Sequence, residues 1–237
     1  MMDERNARPV PALRKSALTR REAICVLAYL PVHIALLPLL LGRLMAAGAL
    51  TEISANFDLY AVGAVYMLAA AWGFLRRDFY TLCDRPFFTV VEIIYSYALM
   101  LLFNFFVGLI LNAARFADNP NNTAVAALAK EGFGTVAAMA VFLAPIVEEL
   151  MFRAGVFALL RRRSRIAAYA VSMALFSLYH VWGYALSDGR YWLYILQYLP
   201  VSWLLARLYE RTDSLWSSIF FHMLVNGVSV KALSMLG

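Results

Sequence analysis

The sequence predicts an all-α, polytopic integral membrane protein, a helical bundle with about seven transmembrane helices, within a range of six to eight. Three observations predict this fold class. The 237 residues are 63% hydrophobic and only 15% charged, whereas soluble domains are about 45–50% apolar and about 25% charged. Seven apolar segments follow one another along the chain, and the basic residues cluster between them. A bilayer tolerates such an apolar surface facing outward, which water does not.

Each apolar segment is about long enough to cross a bilayer, since roughly 20 helical residues span a hydrocarbon core of about 30 Å. The second, fifth and sixth are the shortest, and a partial eighth helix is a further candidate over residues 43–58. The segments are 23–41, 59–75, 87–111, 133–160, 166–182, 191–208 and 215–236.

The polar run ADNPNNT at residues 117–123 has the composition of a loop and divides the chain. We therefore predict three parts: a basic cytoplasmic N-terminal segment at 1–22, transmembrane helices over 23–116, and a second group of helices over 131–237. The second group carries nearly all the polar residues that lie inside apolar segments.

The positive charges predict the orientation, because lysine and arginine near helix ends are retained on the cytoplasmic side. With the N-terminus inside, fifteen of the 21 basic residues fall in inner segments and five in outer ones. The bias predicts a protein of the plasma or inner membrane type with a cytoplasmic N-terminus. The same alternation argues against nucleic acid as the reason for the net charge of +6. Cys25 and Cys83 show no metal-ligand spacing.

Three charged residues, Glu148, Glu149 and Arg153, lie inside the fourth segment. Each costs about 2.5–3.5 kcal/mol near a bilayer centre on insertion scales, so we expect a compensating role. Glu149 and Arg153 are spaced to pair along one helix face. Glu148 has no basic partner one turn on and is the freer carboxylate, which suits a general base or acid. Pro145 predicts a kink nearby.

Two of the three histidines, His180 and His222, lie in the fifth and seventh segments. Phe176 lies one turn before His180 and Asn226 one turn after His222, so each pair shares a helix face. Measured from the predicted cytoplasmic ends, the depths are roughly 20 Å for Glu148, 22 Å for His180, 16 Å for Asn226 and 10 Å for His222. We expect these groups to share a cavity that opens to the cytoplasm.

Three short motifs carry a resemblance. EELMFR at 148–153, FSLYH at 176–180 and HMLVN at 222–226 occur in this order on three predicted helices. They resemble the EExxxR, FxxxH and HxxxN motifs of the CAAX-prenyl-protease and bacteriocin-processing (CPBP, Abi-like) family of intramembrane proteases, over about residues 131–230. Ala154 follows Arg153 where the family commonly has glycine, and Asp213 stands at a turn where glycine is frequent.

The resemblance implies an intramembrane endopeptidase that acts on a membrane-associated protein or peptide, including prenylated CAAX-type substrates. It implies that Glu148 and His180 activate a water, that His222 and Asn226 stabilise the oxyanion, and that Glu149, Arg153 and Phe176 have supporting roles. No metal is required on this interpretation. Zinc or another divalent metal, if present, would be held by Glu148, His180 and His222.

Two other classes of function remain open at this stage. One is a non-catalytic membrane protein of the same fold, such as a bacteriocin self-immunity factor or a scaffold. The other is a transporter or proton relay, because intramembrane Glu and His residues also serve ion paths. Membrane lipids are the expected surroundings in every case.

Two further polar residues in apolar segments receive no role from the sequence. His33, between Pro31 and Pro38, is predicted to be a helix-packing contact. Glu92, five residues into the third segment, is predicted to be a wetted side chain near the cytoplasmic interface.

Overall fold

Over the described residues, 17–116 and 119–236, the chain forms seven helices in sequence and no strand. This computed structural model thus confirms the all-helical bundle. A short 3₁₀ turn, Gly189–Tyr194, joins the fifth helix to the sixth. The helices are α1 (Arg20–Ala46), α2 (Glu52–Asp84), α3 (Pro86–Ala113), α4 (Pro120–Arg161), α5 (Arg165–Ser187), α6 (Ile195–Thr212) and α7 (Leu215–Leu236).

Five of these helices, α1 to α5, are long and apolar enough to cross a membrane within the described part of the chain. Helix α6 is less apolar because three charged residues, Arg207, Glu210 and Arg211, lie in its last turns. Helix α7 is mostly apolar and carries buried serines together with His222. Polar residues that face the interior of a bundle lower the hydropathy of the helix that carries them.

The helices begin where local side-chain chemistry satisfies free backbone N–H groups. Thr19 and Glu22 form a capping box at α1, and Thr51 and Ser54 form one at α2. The side chain of Ser164 caps α5. Residues 43–58 form no separate eighth helix, since 43–46 end α1 and 52–58 begin α2.

The loop predicted over residues 117–123 is wrong for its second half. Asn119 caps α4, and Pro120 occupies a first-turn position, where its missing N–H and fixed φ suit helix entry. Residues 120–123 are therefore helical. Ala117 and Asp118 lie outside the described residues, as do residues 1–16 of the predicted N-terminal segment.

Helix α4 is irregular in ways that the predicted kink at Pro145 does not capture. The backbone breaks at Gly132 (φ −161°, ψ 75°). Widened π-type turns follow at Ala138–Leu143 and Leu150–Phe157. The regular stretch between them, Ala144–Glu149, contains Pro145 at its start and both acidic residues at its end. π-type turns recur at functional sites because they rotate side chains out of the regular helical register.

The core surrounds the second half of α4. Leu150, Phe152 and Phe157 are fully buried there, and α1, α2, α5, α6 and α7 pack around them. Helix α3 lies at the edge and packs mainly on α6. Large apolar side chains cover the outer surface, among them Val65, Phe87, Ile94, Phe105 and Ile166. Such an exterior suits lipid rather than water.

Buried or half-buried ion pairs join helices at the end of the bundle where α2, α4 and α6 finish. Glu92 is 6% exposed and accepts hydrogen bonds from Arg207 at 2.9 Å and Arg211 at 2.7 Å, which links α3 to α6. The prediction of a wetted Glu92 is therefore wrong. Similar pairs join α1 to α2 (Glu22–Arg77) and α6 to the α4–α5 turn (Glu210–Arg161, Glu210–Arg165).

Candidate active site

The adjacent carboxylates of α4 face different neighbours. Successive helical residues point about 100° apart, and here Glu148 faces α2 and α5 whereas Glu149 faces α7. Both are buried, with 2% exposure for Glu148 and none for Glu149. The two side chains therefore have different neighbours except for His222 on α7, which approaches both of them.

Both carboxylate oxygens of Glu149 have partners. Arg153 Nε lies 3.4 Å from Glu149 Oε2, which forms the pair expected from their spacing. The Ser218 hydroxyl donates to the same oxygen. His222 Nδ1 lies 3.0 Å from Glu149 Oε1, and because a carboxylate only accepts, Nδ1 carries the proton in this bond. Glu149 thus orients a histidine of another helix as well as pairing with Arg153.

Arg153 is completely buried, and its remaining contacts hold three helices together. One terminal nitrogen donates to the backbone oxygen and the hydroxyl of Ser202 on α6, each at 3.3 Å. The guanidinium lies over the ring of Phe176 on α5, 4.4 Å from its centroid. Such a cation–π contact stabilises a desolvated arginine. This geometry supports the structural role expected for Arg153 and Phe176.

Glu148 meets both motif histidines through one oxygen. Its Oε2 lies 3.7 Å from His180 Nε2 and 3.8 Å from His222 Nε2. These separations are too long for direct hydrogen bonds and suit a bridging water. Oε2 is buried without a hydrogen-bond partner in the described ranges 17–116 and 119–236. Three of the four groups predicted to share a layer thus converge from three helices.

Local bonds determine which nitrogen of His180 faces Glu148. Nδ1 lies 2.9 Å from the backbone oxygen of Phe176, so Nδ1–H donates and Nε2 presents a lone pair in the neutral ring. The ring also stacks on Tyr198, with centroids 4.6 Å apart and planes inclined by 26°. His180 is therefore held on two sides with an acceptor atom toward Glu148.

Asn226 lies one turn beyond His222 and contacts the backbone of α4. Its Nδ2 donates to Ala140 O at 2.8 Å, within the first widened turn. A carboxamide nitrogen carries two hydrogens, so this bond orients the amide and leaves a second donor.

The resemblance offers Glu148, His180 and His222 as ligands if a metal is present. Among the described residues, no group of three His, Cys, Asp or Glu side chains is arranged to hold a metal ion. Glu148 Oε2 lies 3.7 Å from His180 Nε2 and 3.8 Å from His222 Nε2.

The sequence missed the contacts that the upstream helices make with the site. Tyr60 on α2 donates to Glu148 Oε1 at 3.1 Å, and its hydroxyl lies 2.9 Å from that of Tyr179. His33 Nε2 on α1 lies 3.1 Å from the Tyr179 hydroxyl. Tyr179 lies in the second motif beside His180, but no pattern marks Tyr60. His33 is fully buried and hydrogen-bonded rather than a simple packing contact.

Ser218 was also missed, although a signal was present. It precedes His222 by four residues, so the two share one face of α7 and reach the same carboxylate.

The comparison with family models agrees with the motif positions. Residues 131–228 match the model described as Type II CAAX prenyl endopeptidase Rce1-like. No curated protein and no solved structure matches the chain significantly. The matched segment contains all three motifs and ends two residues after Asn226. Residues 131–228 are therefore similar to the type II CAAX prenyl endopeptidase (Rce1-like) family, and this match supports an intramembrane endopeptidase at the level of the family.

Proposed function

We propose that this protein is a glutamate-dependent intramembrane endopeptidase in which Glu148 and His180 activate water against a peptide carbonyl. The observation that carries the proposal is the approach of His180 Nε2 and His222 Nε2 to the one unpartnered oxygen of Glu148, at 3.7 and 3.8 Å. A water between these atoms would donate its two protons to Glu148 Oε2 and His180 Nε2, which the fold already orients as acceptors.

The hydrolytic step then follows from the groups present. Glu148 Oε2, assisted by His180 Nε2, takes a proton from the water as its oxygen bonds to the carbonyl carbon. The carbonyl oxygen becomes an oxyanion. When the carbon–nitrogen bond breaks, the proton held by Glu148 and His180 passes to the leaving amine. The immediate products are a carboxylic acid, which keeps the second proton of the water, and an amine, and the carboxylate of Glu148 is regenerated. The acid then loses its proton, and the amine takes one up, on release.

The oxyanion would be stabilised by His222 and Asn226. The second N–H of the Asn226 amide is available, since Ala140 O accepts only the first. His222 donates through Nε2 when its ring is protonated, and the Glu149 carboxylate on Nδ1 then balances the charge. Removing one such donor in proteases lowers kcat by about 10²–10³.

The substrate class that we propose is the C-terminal segment of a prenylated, membrane-associated protein of CAAX type. The family description names this class, and the apolar exterior of the bundle would let a lipidated chain approach through the bilayer. We further propose that the N-terminus and the site opening face the cytoplasm, because the basic residues gather between helices on that side.

The test uses the full-length chain in proteoliposomes with a farnesylated peptide that ends in a CAAX sequence. Mass spectrometry is expected to detect the released C-terminal tripeptide. Glu148→Gln and His180→Ala should abolish the product, whereas Tyr29→Phe, which alters a buried hydroxyl without a partner in the described ranges, should not. A product that persists in Glu148→Gln would contradict the mechanism. Absence of product with the wild-type chain would favour the non-catalytic alternative.

A further inference from the structure

The carboxylate of Glu148 has a second oxygen, and its partners come from helices outside the matched family segment. Glu148 Oε1 accepts from Tyr60, whose hydroxyl meets that of Tyr179, which in turn meets His33 Nε2. Three successive contacts of 3.1, 2.9 and 3.1 Å thus connect α4, α2, α5 and α1. Neither Tyr60 nor His33 lies within residues 131–228.

The direction of every hydrogen bond in this chain follows from proton counting. A carboxylate only accepts, so the single hydroxyl proton of Tyr60 goes to Glu148. Tyr60 must then accept the proton of Tyr179. Tyr179 has no second proton, so it accepts from His33, which requires the proton on Nε2. His33 Nδ1 is buried with no partner among residues 17–116 and 119–236, consistent with a neutral ring protonated on Nε2.

This directed chain has two consequences for Glu148. Each donor polarises the next, so the bond received by Oε1 is stronger than an isolated tyrosine would supply. The bond also fixes the rotation of the carboxyl group. With Oε1 held by Tyr60, Oε2 is the oxygen that faces His180 and His222.

The residues around His33 hold this hydrogen-bond chain in place. His33 is fully buried in the widened turn Val32–Leu36, between Pro31 and Pro38. Its ring centroid lies 5.4 Å from that of Tyr60 and 5.9 Å from that of Tyr179. A buried histidine in a membrane helix is costly unless it is hydrogen-bonded. The one side-chain hydrogen bond that His33 makes within the described residues points toward the site.

We propose that Tyr60 is a positioning residue for Glu148, supported through Tyr179 by His33, so that α1 and α2 form part of the hydrolytic site. This inference rests on the function proposed above. It assigns the upstream helices a task beyond that of a membrane scaffold. It does not require any of the three side chains to contact the substrate.

The kinetic test measures kcat and KM for the farnesylated CAAX peptide with full-length protein in proteoliposomes. Tyr60→Phe removes one oxygen, keeps the ring, and is expected to lower kcat about tenfold with KM changed less than about twofold. Tyr179→Phe should lower kcat less, about threefold, because it weakens Tyr60 only indirectly. Tyr29→Phe is the matched control, since the Tyr29 ring lies 5.6 Å from His33 and its hydroxyl has no partner in the described part of the chain.

His33 allows a conservative rescue. Glutamine carries an amide N–H near the position of the imidazole Nε2, whereas leucine fills similar space without a donor. His33→Gln should therefore retain a higher kcat than His33→Leu, although both lose the aromatic ring. Equal losses of kcat in the two variants would assign His33 to packing alone and remove it from the hydrogen-bond chain.

Histidine nitrogen NMR supplies a readout independent of turnover, because the sequence contains only three histidines. We expect the His33 signal to show Nε2 protonated and to shift in Tyr179→Phe. Protonation on Nδ1 instead would overturn the directed chain. In the kinetic test, equal kcat for Tyr60→Phe and Tyr29→Phe would overturn the inference while leaving the proposed function intact. A wild-type chain that cleaves no peptide would overturn both.

Discussion

At the scale of single residues, Glu148 and Glu149 are neighbours in sequence with opposite requirements. Glu149 is bonded to Arg153, Ser218 and His222, so both of its oxygens are occupied. Glu148 keeps one oxygen unpartnered among the described residues and turned to two imidazoles. The first carboxylate is suited to hold structure, and the second is suited to react.

Substitution of Glu149 should therefore affect folding more than substitution of Glu148. Glu149→Gln removes the ion-pair partner of the fully buried Arg153, and removing one partner of a buried pair costs about 3–5 kcal/mol. We expect a large fall in the thermal unfolding midpoint of the detergent-solubilised protein. Glu148→Gln is the control and should unfold close to wild type. A midpoint that falls equally in both variants would argue against this division of tasks.

Metal removal provides a second test of the same site. Because the described residues offer no three-ligand arrangement, hydrolysis of the farnesylated peptide should continue after treatment with a strong chelator and dialysis. The control is a zinc endopeptidase treated in parallel, which should lose activity. Loss of activity that added zinc restores would show that Glu148, His180 and His222 gather around a metal after all.

At the scale of elements, the crossing of α1 and α4 depends on Gly155. A Cβ at this position would lie 3.1 Å from Val26 Cγ1, 3.2 Å from Leu27 Cδ2 and 3.3 Å from Leu150 O. The sequence carries Ala154 after Arg153, and the glycine that permits close approach is the next residue. The position of Gly155 therefore identifies the face of α4 that packs against α1.

Gly155→Ala should destabilise the bundle, because overpacking costs about 1–3 kcal/mol and outweighs the roughly 1 kcal/mol gain in helix propensity. Gly183→Ala on α5 is the matched control, since a Cβ added there would have no atom within 4 Å. Gly183→Ala should show only the gain in helix propensity. Thermal unfolding in detergent measures both, and a higher midpoint for Gly155→Ala than for wild type would contradict the close packing.

The α3–α6 contact depends on a different interaction. Glu92→Gln removes the charge that Arg207 and Arg211 share, and we expect a loss of about 2 kcal/mol in unfolding free energy, which shrinks as salt is added. The exposed pair Asp188–Arg190 provides the control, since Asp188→Asn should leave unfolding unchanged. Chemical denaturation at two salt concentrations makes the comparison. Equal effects of the two substitutions would show that burial adds nothing to the Glu92 pair.

At the scale of the whole molecule, orientation follows from which end of the bundle carries the basic clusters. Cys83 is exposed near the end of α2, beside the basic residues Arg76, Arg77 and Arg85. In a Cys25→Ser background, an impermeant maleimide added to intact cells should not label Cys83, and permeabilisation should restore labelling. A cysteine at the opposite end, from Ser187→Cys with Cys83 replaced by serine, should be labelled without permeabilisation. The reverse pattern would invert the proposed topology.

The sequence alone determined the fold class and the helix order, because an apolar exterior and the run lengths of a membrane helix are local properties. Each of the seven predicted segments coincides with one of the seven helices found in the described residues. The motif spacing also identified Glu148, His180, His222 and Asn226 within their helices. The loop at 117–123 and the environment of Glu92 were wrong, because helix caps and ion pairs depend on residues outside the apolar pattern.

Only the tertiary structure decided how the site is assembled. It showed that Glu149 contacts His222 and that Asn226 bonds to Ala140. It also showed that Tyr60 contacts Glu148 and His33 contacts Tyr179 from helices without any motif. Periodicity states which face of a helix a residue occupies, but it does not state which other helix that face meets. Hydrogen bonds between distant helices are a property of packing, and packing is determined by the whole chain at once.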